Sequence, residues 1–141
     1  MVRHLEDFRV GDVYELGRRQ VSGPEIIQFA QQYDPQPRHT GRPDGGLVAS
    51  GWHVAGIFMR LYVDAVVHDA AAEVSPGVDK LRWLRPVRPG DVLTGRVTVT
   101  GISASLTRPD CGIVGQRGEL VDERNRPVMW LTFYCLIRRA G

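Results

Sequence analysis

The chain has 141 residues, 43% hydrophobic and 24% charged, the composition of one globular domain, residues 1–141, and not of a disordered chain. Its net charge of +2 comes from arginine, with Lys80 the single lysine, and the arginines are scattered (Arg18, Arg19, Arg38, Arg42, Arg82, Arg85, Arg88, Arg138, Arg139). Nucleic-acid binding wants a concentrated basic patch, so no nucleic-acid partner is expected; scattered arginine near a pocket suits a phosphorylated small molecule better.

The first nine residues lack the apolar region of a signal peptide, and no uncharged apolar run reaches the ~20 residues of a membrane span. Cys111 and Cys135 have no metal or redox spacing and read as small hydrophobes inside strands. A cytoplasmic protein with no membrane partner and no metal is expected.

In chain order, Val10-Gly11-Asp12-Val13 turns into a first strand, about Val13 to Val21. Ser22-Gly23-Pro24-Glu25 opens a helix: Ser22 caps, Glu25 stands in capping-box position and Pro24 is tolerated in a first turn. Ile26, Ile27, Phe29, Ala30 and Tyr33 follow at helical spacing, and Pro35 ends the helix at Asp34. Asp34 to about Gly46 reads as loop, because Pro35 and Pro37 remove two donors and fix two φ angles. Leu47 to about Ala70 is the most apolar segment, with a helix opening near Ser50-Gly51 and only a narrow polar stripe at Arg60, Asp64 and His68, the pattern of a buried helix. Strands follow at Val78–Arg85, Val92–Thr100, Cys111–Val121 and Val128–Ile137, separated by turns at 86–91 and 122–127. One long buried helix and several strands joined mostly by hairpins give an α+β fold, a curved antiparallel sheet wrapped around the helix in the hotdog arrangement.

The most informative stretch is Asp34-Pro35-Gln36-Pro37-Arg38-His39, which holds a carboxylate and an imidazole in a stiff segment. Geometry comes before pKa in proton transfer, so a rigid acid/base pair is a candidate site. The plainer reading is a helix-terminating Asp and a surface His. Ser50-Gly51-Trp52-His53 opens the apolar helix, whose free N–H groups can meet a ligand. Capping by Ser50 is the first expectation there, with substrate contact the second. Gly51 is open between packing and ligand approach, and His53 reads as a satisfied core histidine. Trp52 and Trp83 read as core or dimer contacts ahead of substrate contacts. No G-x-S-x-G elbow, phosphate loop or dinucleotide fingerprint is present, and His39, Asp44 and His53 lack metal spacing.

Tyr33-Asp34-Pro35-Gln36-Pro37-Arg38-His39, then Leu47-Val48-Ala49-Ser50-Gly51-Trp52-His53, then Arg82-Trp83-Leu84-Arg85-Pro86-Val87-Arg88-Pro89-Gly90-Asp91 together resemble the MaoC-like dehydratases, relatives of the (R)-specific enoyl-CoA hydratases. The resemblance implies that Asp34 and His39 are the catalytic pair and that the Gly51 N–H meets the thioester carbonyl. For that chemistry Asp34 is expected to act mainly as the general base and His39 to orient the water and help return a proton to C2, with the path of each proton left open. The resemblance makes Ser50, Trp52 and Arg42 candidate substrate contacts. It also implies an acyl-CoA or acyl-carrier thioester as partner, a homodimer or dimer of dimers, and no cofactor beyond the coenzyme A of the substrate. Two features depart from that pattern: Thr40–Ser50 is short and glycine-rich, and Arg38 stands where relatives carry an apolar residue. Arg42, Arg85 and Arg88 are further candidates for the phosphates of coenzyme A, although each singly suits solvated surface. The competing readings are a thioesterase, for which Asp64 is the one helix carboxylate, and a non-catalytic thioester binder.

Overall fold

The computed structural model describes residues 1–41 and 46–141, so Arg42 and Asp44 lie outside the described residues. Among the described residues five antiparallel strands form one sheet: β1 (Val13–Gln20), β2 (Gly77–Trp83), β3 (Val92–Ala104), β4 (Cys111–Val121) and β5 (Pro127–Arg138). Their order is β1-β3-β4-β5-β2, so the β3-β4-β5 meander is central and β1 and β2 are the edges. Register shifts at Glu15/Gly17, Val78/Lys80 and Val99/Gly101 bend the strands and curve the sheet. β3 runs four residues past the expected Thr100, because after its bulge Gly101–Ala104 pair with Gly112–Gly115. Strand pairing outweighs the local glycine signal there.

Helix α1 (Gly23–Tyr33) begins as its sequence dictates: Ser22 Oγ accepts the Glu25 N–H at 3.3 Å and donates to Glu25 Oε2 at 3.0 Å. The expected loop after Asp34 is corrected by a one-turn helix α2 (Pro37–Thr40) that carries His39. Pro37 occupies the first helical position, where a missing N–H and φ near −65° cost nothing. The main helix α3 (Gly51–Ala65) is shorter than the apolar run: 47–50 is irregular, and Val67–Asp69 is a 3₁₀ turn. The β-branched pair Val66-Val67 stands where the regular helix stops, in keeping with its low helix propensity.

α3 packs on the concave face of the sheet through Val54, Ile57, Phe58, Leu61 and Tyr62. Gly118 of β4 makes this approach possible, since a Cβ there would overlap the Phe58 ring. Beneath the helix, Tyr62 Oη donates to Gln116 Oε1 at 3.0 Å and lies 3.2 Å from Cys135 Sγ. Both cysteines are buried within strands and free. α3 is not buried all round, however: Trp52 and Met59 are exposed, and Trp52 meets the exposed Trp83. Among the described residues no helix is long and apolar enough to cross a membrane.

Candidate functional site

The site forms where α1 ends, α2 turns and α3 begins. The Asp34 N–H closes α1 on Ala30 O at 2.8 Å, which leaves the Asp34 side chain at the helix exit. α2 then brings His39 back, so that Nε2 lies 3.5 Å from Asp34 Oδ2. The irregular stretch before α3 is held on both sides, by Val48 N–H to Arg38 O (2.9 Å) and Ala49 N–H to Val87 O (2.8 Å). These two bonds deliver Val48 O and Ser50 to the pair.

His39 is only 7% exposed, and its Nδ1 lies 2.7 Å from Val48 O. A carbonyl accepts only, so Nδ1 carries a proton, and in the neutral imidazole the lone pair is the one at Nε2. Asp34 accepts twice: from Gln36 Nε2 at Oδ1 (2.6 Å) and from Ser50 Oγ at Oδ2 (2.7 Å). Those two bonds, Gln36 first and Ser50 second, hold its carboxyl below the usual carboxylate range, with a smaller contribution from His39. The paired sites are therefore an anionic oxygen and an imidazole lone pair, both acceptors and close enough for one water to donate to each.

Ser50 is fully buried and makes no capping hydrogen bond, because its hydroxyl is committed to Asp34. The capping expectation is thereby corrected; a buried hydroxyl goes to the stronger, charged acceptor. Gly51 is the first residue of α3, and among the described residues no acceptor takes its N–H. An alanine Cβ there would lie 2.6 Å from Trp83 Cε2, so the small residue is required by the Trp83 indole. Trp83 Nε1 also donates to Gly51 O at 2.8 Å. The N–H and the packing constraint belong to the same residue and do not exclude one another.

Trp52 is 63% exposed and meets Trp83 edge-to-face at 5.2 Å, so neither indole is in the core. His53 corrects the expectation of a satisfied core histidine. It stacks on Phe29 (5.0 Å), its Nδ1 has no partner among the described residues, and Nε2 stops 3.5 Å from Glu25 Oε1. Burial pulls its pKa below the ordinary imidazole value, against the opposing effect of Glu25. Asp64, the candidate for a thioesterase, is exposed and paired to Arg60 at 2.9 Å, away from the Asp34–His39 pair. Among the described residues, no group of three His, Cys, Asp or Glu side chains has the geometry to hold a metal.

The sequence reading missed Gln36, Val48 and the true role of Ser50. Gln36 sits two residues from Asp34 between two prolines, so its reach to the carboxylate was available as a local signal. The Val48 carbonyl was not, because it arrives through a nine-residue return of the chain.

A family model described as MaoC like domain matches residues 7–119. A MaoC-like dehydratase from Rhodospirillum rubrum is 37% identical over 98% of each chain, with a TM-score of 0.86. A monoamine oxidase regulatory protein from Archaeoglobus fulgius is 23% identical, covers 99% of this chain and 97% of that one, and has a TM-score of 0.88. The (R)-hydratase from A. caviae involved in PHA biosynthesis is 19% identical over 96% of this chain and 99% of its own, with a TM-score of 0.71. At their identities the last two share the fold, which is the hotdog fold.

Proposed function

Because the chain belongs to the MaoC-like domain family, we propose that it adds water across, or removes it from, the C2–C3 bond of an enoyl or 3-hydroxyacyl thioester. The observation that carries this reading is the Asp34–His39 pair, with His39 fixed by Val48 O so that its Nε2 lone pair faces the ionised Asp34. A water donating one hydrogen to Nε2 and one to Oδ2 turns its own lone pair outward. That is the orientation required to attack C3 of an enoyl thioester.

Proton balance follows from the tautomer. As the C3–O bond forms, Nε2 takes one water proton and becomes imidazolium beside Asp34, which stabilises it. Electrons from the double bond move to the thioester oxygen, and the Gly51 N–H at the N-terminus of α3 stabilises that charge. His39 then returns its proton to C2, which completes addition of H and OH. The lowered proton affinity of Asp34 favours this division over Asp34 as the base. Dehydration is the same path reversed. The chemistry proposed uses no cofactor beyond the coenzyme A of the substrate, and the (R) configuration is inferred from the family resemblance.

We further infer a homodimer. Among the described residues the outer edge of β2 has no strand partner, Val78 and Trp83 on that strand are exposed, and Trp52 and Met59 are exposed on α3.

The test is hydration of crotonyl-CoA, followed by loss of its enoyl-thioester absorbance, for the wild type and Asp34→Asn side by side with free thiol monitored. Turnover that falls ~10²–10⁴-fold in the variant without thiol release is expected. Thiol release by the wild type would replace the reading with a thioesterase. An Asp34→Asn variant as active as the wild type would overturn the role of the pair.

A further inference from the structure

Two adjoining grooves lead away from the start of α3. The nearer, about 290 Å³, is lined by Ala49, Gly51, Val54 and the Trp83–Val87 segment. The farther, about 520 Å³, lies between the turn that precedes β3 and the β4–β5 hairpin turn. Arg85 and Pro86 line both, so the second continues the first.

The farther groove carries Arg85, Arg88, Arg124 and Arg126 against Asp91, Asp122 and Glu123. Two of those carboxylates are spent inside the turns. Asp91 Oδ2 accepts the Arg88 N–H at 2.9 Å. Asp122 Oδ1 accepts the Arg124 and Arg126 N–H groups, each at 2.9 Å, and its Oδ2 takes Arg126 Nε at 2.8 Å. Arg85 donates to Pro127 O at 2.9 Å. Among the described residues, no carboxylate forms an ion pair with Arg85, Arg88 or Arg124. The two carboxylates thus brace the turns, and Arg85, Arg88 and Arg124 are left without a carboxylate partner among the described residues. Asp91 and Glu123 keep their own charge, so that four guanidiniums against three carboxylates leave the lining net positive by one. Planar guanidinium forks match phosphate oxygens in pairs, which a point charge does not.

We propose that this groove binds the phosphate of the thioester's carrier arm, with Arg88 and Arg124 as its principal contacts. The inference rests on the proposed thioester reading. An acyl group whose carbonyl meets the Gly51 N–H has its pantetheine arm along the nearer groove, and the arm ends in a phosphate at the arginines. That phosphate is common to coenzyme A and to the phosphopantetheine of an acyl carrier protein.

The experiment compares crotonyl-CoA, crotonyl-phosphopantetheine and crotonyl-pantetheine as substrates for the wild type and the Arg88→Ala/Arg124→Ala variant. Calorimetric binding of coenzyme A is measured in parallel. Both substitutions are on exposed side chains, and the thermal transition checks the fold. The expected result is a rise in KM of about tenfold or more for the phosphate-bearing substrates, at least tenfold larger than for crotonyl-pantetheine. A loss equal for crotonyl-CoA and crotonyl-phosphopantetheine assigns the groove to the shared phosphate. A loss confined to crotonyl-CoA assigns it to the nucleotide phosphates. Equal KM values for all three substrates in both proteins would overturn the groove while leaving the hydratase intact. If no thioester turns over, binding of coenzyme A that the variant loses keeps the groove and removes the hydratase reading. No binding by the wild type removes the groove.

Discussion

Gly51→Ala separates two demands made on one residue. In an isolated helix the change would stabilise, since glycine is ~1 kcal/mol poorer than alanine in a helix interior. Here the new Cβ would stand 2.6, 2.8 and 2.9 Å from Trp83 Cε2, Cδ2 and Cζ2. Carbon atoms prefer ~3.5–4.0 Å, so the indole must retreat by about 1 Å. It is not free to do so, because Nε1 donates to Gly51 O at 2.8 Å and the ring packs edge-to-face on Trp52. A neutral hydrogen bond contributes ~0.5–1.5 kcal/mol and an aromatic pair about the same. Overpacking of this kind costs ~1–3 kcal/mol. Gly51 is the first residue of α3 and not an interior one, so little of that propensity gain applies and the expected outcome is a net loss of ~1–3 kcal/mol. Urea unfolding of wild type, Gly51→Ala, Trp83→Ala and the double variant, at one fixed protein concentration, measures it. In the Trp83→Ala background the cost should vanish, giving a coupling of ~1–3 kcal/mol. An equal cost of Gly51→Ala in both backgrounds would refute the indole as its cause.

Ser50→Ala should raise the Asp34 pKa toward the ordinary aspartate value of 3.8, since it deletes one of the two bonds that lower it. A carboxylate with a depressed folded pKa stabilises the fold above its unfolded pKa and loses that contribution as pH falls through the folded one. The acid unfolding midpoint should therefore move upward in Ser50→Ala; an unmoved midpoint would count against the Ser50–Asp34 bond. For the dimer, sedimentation should give twice the chain mass of 15.7 kDa, and Met59→Glu, which places a charge on the exposed face of α3, should shift it toward one chain. A wild type that sediments as one chain at micromolar concentration would overturn the assembly.

The parts of the fold carried by periodicity were open to reading. α1 announces itself through Ser22, Pro24 and Glu25, and β4 through the polar turn that follows Val121. The local physics of capping and strand alternation acts over a few residues, so a few residues suffice to see it. Where neighbours in space decide, the sequence misled. Two prolines around Gln36 pointed to loop, yet Pro37 starts a helical turn, because the first position of a helix asks nothing of its N–H. An apolar run suggested a helix buried all round, yet α3 exposes Trp52 and Met59, because the sheet covers one side of it.

For the site, the sequence by itself determined which groups are the candidates for the proposed chemistry: the Asp34 carboxylate, the His39 imidazole and a glycine N–H at a helix start. Only the tertiary structure decided what state those groups are in. The Val48 carbonyl fixes the His39 tautomer, and Gln36 and Ser50 keep Asp34 ionised. Trp83, thirty-two residues further on, requires Gly51 to be small. A residue's identity is local, but its proton affinity and the room around it are set by atoms that chain folding brings within 3 Å.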